Sequence, residues 1–298
     1  MEGNGPGEGI IRRAPPPEGM GLRTGCSSWT SEAWSGRFYP AGLPGADRLR
    51  YYARRFDTVE VDATFYRDPG PGMARRWAAV TPEGFLFALK MPRDLLDPRH
   101  PAEPEALGRF LTTARALGRK LGPILLQFPP SFTPRPHRRF LDALLDRLPP
   151  GPRYAVELRH TGWFSEPHFG GLTRRLAELG IALTWSYLTY LAVPAEITTG
   201  FVYLRFIGDH TTVPASVHGA IRIDRTEAVR HWAGPARAAL QDGREVYAYF
   251  NNHFAGFAPE SVNLFRREME LPPIPIALPP WTTLAEPEPG RKGDPSTG

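Results

Sequence analysis

Eight short stretches rich in β-branched and aromatic residues recur between residues 22 and 250, and most are followed by a stretch with helical spacing. Strands are expected at 22–26, 59–64, 85–90, 124–128, 154–158, 181–185, 201–207 and 246–250. Helices are expected at 47–56, 73–80, 103–117, 136–148, 172–179, 226–240 and 259–269. The apolar stripes are explicit: Leu49, Tyr52, Ala53 and Phe56 in the first helix, and Leu141, Leu144, Leu145 and Leu148 in the fourth. Gly180 stands where a helix would end. Regular strand–helix alternation requires a parallel sheet. About 250 residues of it is the size of one TIM (β/α)8 barrel, and that single-domain α/β fold is the expectation. An open doubly wound sheet is the rival, but no Gly-x-Gly-x-x-Gly follows any strand, which counts against dinucleotide binding. The unit after strand six breaks the pattern. Residues 187–200 hold Pro194 and Thr198-Thr199 and no helical stripe, so an irregular connection is expected there.

Composition matters chiefly at the ends and for what it excludes. Residues 1–20 and 272–298 are rich in Pro, Gly and Glu without periodicity, and read as flexible tails around a domain at 21–271. Trp281 is the exception and is expected to tack the second tail to the body. The first twenty residues lack the apolar segment of a signal peptide, and no run of about 18 apolar residues suggests a membrane span. A lone Cys26 excludes an intramolecular disulfide and a cysteine-rich zinc site. The cytoplasm is therefore the default location. Net charge is +5 with a pI near 9.5, but the basic residues are scattered. The nearest thing to a patch, Arg135, His137, Arg138 and Arg139, reads as a solvated helix face. Oligomeric state is not legible.

In a barrel of this kind, chemistry sits at the C-terminal ends of the strands. Those ends are unusually polar here. Strand one ends in Ser27-Ser28-Trp29, and strand two carries Glu60 and Asp62, whose spacing of two places both on one face, then Thr64 and Tyr66. Strand three ends in Lys90, one of only three lysines in an arginine-rich chain, as though a compact ammonium were wanted. Strand four has Gln127, strand five Glu157, Arg159 and His160, and strand six Ser186. Strand seven has Arg205, Gly208, Asp209 and His210, and strand eight Asn251, Asn252 and His253. A packed core alone does not call for this. The competing reading is a buried ion-pair lattice that only holds the barrel top together. Trp29, Trp34, Phe38 and Tyr39 are expected to plug the barrel top, and Cys26 to be a small core residue. Glu60, Asp62, Glu157, His160, His210 and His253 are the metal-ligand candidates, but no His-x-x-x-His or His-x-Asp spacing supports a site, and no metal is assigned.

Several blocks then become recognisable: Thr24-Gly-Cys-Ser-Ser-Trp29, Phe38-Tyr-Pro40, Thr58-Val-Glu-Val-Asp-Ala-Thr-Phe-Tyr-Arg67, Phe85-Leu-Phe-Ala-Leu-Lys90, Leu126-Gln-Phe-Pro-Pro130, Ala155-Val-Glu-Leu-Arg-His160 and Tyr249-Phe-Asn-Asn252. In this order they resemble the domain-of-unknown-function 72 (YecE-like) family over residues 22–270. The resemblance implies a TIM barrel and no assigned activity. It marks Ser28, Glu60, Thr64, Tyr66, Lys90, Gln127, Glu157, Arg159, His160, Arg205, Gly208 and Asn252 as motif positions. The chain departs from the pattern twice. Leu95-Leu-Asp97 stands where a Thr-His pair is implied, with His100 falling later, and Ser186 stands where relatives end strand six in an acid.

The leading functional expectation is an enzyme acting by acid/base chemistry on a small polar or anionic ligand. Glu60, Lys90 and Glu157 are the catalytic candidates. Ser28, Asp62, Thr64, Tyr66, Gln127, Arg159, His160, Arg205, Gly208, Asn251 and Asn252 are the ligand-binding candidates. The alternatives are a metal-dependent nucleic-acid-processing barrel of the apurinic-endonuclease type and a non-enzymatic binding module. Whether a cofactor is used is not legible in the sequence.

Overall fold

The computed structural model describes residues 21–99 and 104–276. The chain begins with β1 (Leu22–Cys26), α1 (Arg48–Ala53), β2 (Thr58–Val61), α2 (Ala63–Tyr66), α3 (Gly70–Ala79) and β3 (Leu86–Lys90). It continues with α4 (Pro104–Arg115), β4 (Leu121–Gln127), α5 (Pro134–Asp146), β5 (Tyr154–Glu157) and α6 (His168–Glu178). Then come β6 (Ala182–Leu183), β7 (Trp185–Tyr187), β8 (Phe201–Phe206), α7 (Thr226–Gln241), β9 (Glu245–Phe250), α8 (Asn252–Ala255) and α9 (Ala258–Glu268). All strand pairings are parallel, in the orders β1-β9-β8-β7 and β2-β3-β4-β5-β6. β6 and β7 are two halves of one barrel strand, the first paired to β5 and the second to β8. Counted so, eight parallel strands form a TIM barrel.

Two seams lack a regular ladder, and side chains close both. At β1/β2, the Tyr52 hydroxyl accepts from the Cys26 N–H at 2.7 Å and donates to the Thr58 carbonyl at 3.1 Å. The strands approach so closely there that a Cβ on Gly25 would lie 2.0 Å from that same carbonyl oxygen. At the break between β6 and β7, Thr198 stands in for a neighbouring strand. Its hydroxyl accepts from the Leu183 N–H at 2.8 Å and donates to the Ile181 carbonyl at 2.6 Å. The irregular 187–200 connection is thus retained where its threonine completes the barrel.

Two apolar layers follow from the strand alternation. Outward residues such as Val59, Phe87, Leu126, Trp185, Phe206 and Phe250 pack under the helices. Inward residues form a second core of Ala88, Leu125, Ala155, Ala182, Phe201, Tyr203, Tyr247 and Tyr249. The small side chains of β3, β5 and β6 leave room for the tyrosines of β8 and β9. The aromatic loop after β1 packs into the outer layer, against α1 and α3, rather than plugging the barrel top, because its rings meet outward-facing side chains. Trp34, Phe38 and Tyr39 are buried with Tyr52 and Phe56, while Trp29 meets Trp77 edge-on at 5.3 Å.

Several boundaries differ from the sequence reading. The second strand ends at Val61 rather than Thr64, because Asp62 is already helical (φ −60°, ψ −31°) and Thr64 folds back to the Val61 and Lys90 carbonyls. The last strand ends at Phe250 as expected, but a short helix, α8, intervenes before the expected final helix. At the C-terminal side, the Asn263 side chain brackets Ile274, donating to its carbonyl at 2.8 Å and accepting from its N–H at 2.6 Å. Ile274 is buried. The 1–20 tail, residues 277–298 with Trp281, and His100 lie outside the described residues. Among the described residues no helix is long and apolar enough to cross a membrane.

Candidate functional site

Strand alternation aims the last inward residue of each strand at the C-terminal mouth. Glu60 on β2 and Arg205 on β8 meet there through two parallel hydrogen bonds, Nε to Oε2 at 2.8 Å and Nη2 to Oε1 at 2.7 Å. Tyr203, two residues before Arg205 on the same face, donates its hydroxyl to Glu60 Oε2 at 2.7 Å. The remaining Arg205 nitrogen, Nη1, donates to Glu157 Oε2 on β5 and to Gln127 Oε1 on β4. Glu157 is held from its other side by Arg159, whose Nε donates to Oε1 at 2.5 Å. Arg159 Nη2 also donates to Gln127 Oε1, at 3.1 Å. Glu60, Glu157 and Arg205 have essentially no exposed surface.

This network sets the protonation states. Burial alone would raise the Glu157 carboxyl, but Arg159 and Arg205 outweigh it and bring its pKa down to about 2. Glu60 is likewise depressed: desolvation works against it, and Arg205 and Lys90 prevail. Arg205 is pushed well above its usual value, since Glu157 and Glu60 overcome its desolvation. All three are fixed charges.

A second pair stands at the rim. Lys90 Nζ donates to Asp62 Oδ1 at 2.9 Å and lies 5.1 Å from the Phe65 ring centroid. Lys90 is nearly buried, whereas the Asp62 side chain keeps 30% of its surface. The Asp62 carboxyl moves up rather than down. Desolvation leads; Lys90 opposes it, and the Glu60 charge adds to it. Of the acids at the mouth it is the one both reachable and shifted toward proton uptake.

The other sequence candidates have structural duties. The Thr64 hydroxyl accepts from the Lys90 N–H at 2.9 Å and is wholly buried. Ser28 accepts from the Thr30 N–H in a local turn. His160 Nδ1 accepts from the Gly162 N–H, and Asn251 Oδ1 from the His253 N–H, each starting a short helical turn. Asn252 Oδ1 accepts from Trp34 Nε1 and from the Ala258 N–H, tying the aromatic loop to α9. Gly208 (φ +69°) lies where a Cβ would come 2.2 Å from the His253 carbonyl oxygen. Tyr66 points into solvent at 76% exposure, beside Phe65. The metal-ligand candidates do not converge. The His210 and His253 rings face each other at 3.7 Å, with His218 at 4.5 Å from His253, and among the described residues no group of three or more His, Cys, Asp or Glu could hold a metal ion.

Sequence reasoning missed Tyr203 and Tyr190. Tyr203 was findable, because it precedes Arg205 by two in a strand. Tyr190 lies in the irregular connection, 53% exposed. It is near enough to Arg159 and Glu157 for both to act on its phenol, which partial burial raises, Arg159 lowers and Glu157 raises. His210 also feels Arg159. Desolvation, then His253, then Arg159 hold it below its ordinary pKa.

The profile of the protein-of-unknown-function family DUF72 matches residues 23–283. The chain belongs to this family. DUF72 members of known structure superpose over most of their length. The protein from Thermotoga maritima MSB8 gives a TM-score of 0.70 at 25% identity, covering 84% of this chain and 99% of that one. The protein from Enterococcus faecalis V583 gives 0.68 at 20% identity, covering 84% and 98%. Among curated relatives, UPF0759 protein YecE of Escherichia coli is 35% identical over 129 residues, 41% of this chain and 45% of YecE. UPF0759 protein YunF of Bacillus subtilis is 27% identical over 147 residues, 44% of this chain and 49% of YunF. The aligned region thus spans about half the length of each of these relatives.

Proposed function

We propose that this DUF72 barrel is an enzyme that binds a small anionic ligand at its C-terminal mouth and acts on it by acid/base chemistry. The observation that carries the reading is a pair of oriented, uncommitted donors. Gln127 Oε1 accepts from both Arg159 and Arg205, so its amide NH2 must face elsewhere. Arg159 uses Nε and Nη2 on Glu157 and Gln127, and among the described residues its Nη1 has no partner. The two adjacent donor groups are preorganised by the buried lattice behind them, as anion recognition requires.

Sequence reasoning gave proton transfer to Glu60 and Glu157. The geometry recommends a different division of labour. Those two carboxylates are saturated by guanidinium groups and act as fixed charges that aim Arg159 and Gln127. Asp62, accessible and raised in pKa, exchanges the proton, and Lys90 adjusts its charge.

Calorimetric titration with inorganic phosphate and with malonate tests this. Saturable binding is expected for the wild type, at least tenfold weaker binding for Arg159→Gln and Gln127→Ala with the fold intact, and a flattened pH dependence for Asp62→Asn. Absence of saturable anion binding by the wild type overturns the proposal.

A further inference from the structure

Two lysines lie among the described residues, and their ammonium groups are used differently. Lys120 Nζ is spent: the Ala78 carbonyl at 2.6 Å, the Thr81 carbonyl at 2.5 Å and the Thr81 hydroxyl at 3.1 Å take up its three protons. Lys90 Nζ has one hydrogen-bond partner among the described residues, Asp62 Oδ1 at 2.9 Å, and the Phe65 ring centroid 5.1 Å away. Its backbone is pinned by Thr64, whose hydroxyl accepts from the Lys90 N–H at 2.9 Å and donates to the Lys90 carbonyl at 2.8 Å. We infer that Lys90 is a nucleophile that forms an imine with its ligand, so that the substrate class is an aldehyde or ketone bearing a phosphate or carboxylate; this rests on the anion-binding reading above and narrows it. An enclosed lysine with an unspent amine is the side chain suited to that chemistry.

Strand register places the amine beside the anion site. Lys90 pairs with Leu125 on β4, and Gln127 stands two residues further along that strand on the same inward face. Strands about 4.8 Å apart with a rise of about 3.3 Å per residue put the two Cα atoms roughly 8 Å apart. Gln127 pairs in turn with Glu157 and accepts from Arg159. An anionic group held by Gln127 and Arg159 thus lies one diagonal step from Lys90, a span that a short-chain carbonyl compound covers. Lys90 is enclosed and Asp62 is the accessible side of the pair, so the carbonyl reaches Nζ past Asp62.

Asp62 completes the chemistry. Lys90 passes a proton to it, and the freed amine adds to the carbonyl carbon. A proton shift from nitrogen to oxygen gives the carbinolamine. Asp62 then returns its proton to that oxygen, which leaves as water while the nitrogen lone pair forms the C=N bond. The net change is ammonium plus carbonyl to iminium plus water, with no oxidant or reductant required. Burial, opposed by Lys90 and helped by the Glu60 charge, holds the Asp62 carboxyl above its ordinary pKa, as a group that takes and returns a proton requires. The iminium keeps the positive charge that Asp62 and Phe65 already face.

The test is trapping with sodium borohydride, which reduces an iminium to a stable amine. The full chain is incubated with pyruvate or dihydroxyacetone phosphate, and with acetone or dihydroxyacetone as their uncharged counterparts, then reduced and read by intact mass and peptide mapping. The expected product is an adduct on Lys90, heavier by the mass of the compound less one oxygen atom. At least one of the two anions should give it in about tenfold higher yield than its uncharged counterpart, and Lys120 should stay unmodified. The better of the two anions identifies the group held as carboxylate or phosphate. Lys90→Arg should abolish the adduct. Should that variant fail to fold, Arg159→Gln and Asp62→Asn, each altering a partly exposed side chain, should still lower the yield about tenfold. If inorganic phosphate binds saturably but neither anion leaves an adduct on Lys90, the inference falls while the anion site stands. Label spread evenly over the lysines overturns it equally. If the adduct forms on Lys90 as readily from the uncharged compounds and survives Arg159→Gln, the imine chemistry stands and the anion reading falls.

Discussion

Arg205 closes on Glu60 from the far side of the barrel mouth, with Nε and Nη2 each within 2.8 Å of a carboxylate oxygen and neither group open to solvent. Burying such a pair does not by itself make a protein stable, because desolvation offsets the attraction. Breaking it is another matter. Arg205→Met leaves Glu60 and Glu157 facing one another with their shared counter-ion gone. Urea denaturation should show a loss of about 3–5 kcal/mol.

Acid should act through the same lattice. The Glu157 pKa is lowered to about 2 from an ordinary 4.5, and Glu60 is lowered too. A depressed carboxylate contributes stability that is fully present above the unfolded-state pKa and is lost as pH falls through the folded one. Stability should therefore decline between roughly pH 4.5 and pH 2. Asp62, shifted the other way, contributes with opposite sign, gaining as the pH falls. Thermal melts of the wild type and Glu157→Gln across this range check the sign. The variant should be less stable at neutral pH and show a shallower acid slope.

The inward wall also carries a cost. Ser27, Thr184 and Ser186 have buried hydroxyl oxygens without a hydrogen-bond partner among the described residues. An unsatisfied buried hydroxyl costs about 1–3 kcal/mol. Thr184→Val keeps the shape and removes the polar group, and should raise the unfolding free energy by about 1 kcal/mol. A loss of stability instead would mean that the hydroxyl has a partner.

Gly208 has no room for a side chain. Its φ of +69° and the His253 carbonyl 2.2 Å from a built Cβ mean that Gly208→Ala strains the backbone and pushes β8 away from α8. A loss of about 3 kcal/mol or more is expected in chemical denaturation.

The sequence disclosed the eight-strand order, and at the mouth it disclosed what depends on period-two alternation. Glu60, Lys90, Gln127, Glu157 and Arg205 all end or nearly end a strand, so their direction followed from their position. Residues one or two steps beyond a strand were less legible. Asn251, Asn252 and His160 lie where the chain has already left the sheet, and their polar atoms serve local turns. Asp62 was placed on the right side by parity, but its higher pKa depends on Glu60, Lys90 and the degree of enclosure, none of which spacing reveals. Tyr190 was invisible because the connection that carries it has no period. Thr198 was singled out only as part of an unhelical pair, and its role as a stand-in strand partner needs the broken ladder to be seen.

We propose that the buried lattice aims Arg159 and Gln127 at one anion-receiving point in the mouth. A crystal structure of the protein soaked with selenate measures this directly through anomalous scattering. A peak is expected within hydrogen-bonding distance of Arg159 Nη1 and Gln127 Nε2, absent from Arg159→Gln crystals. Selenate found only on outer surfaces, with the mouth empty or unchanged by that substitution, would contradict it.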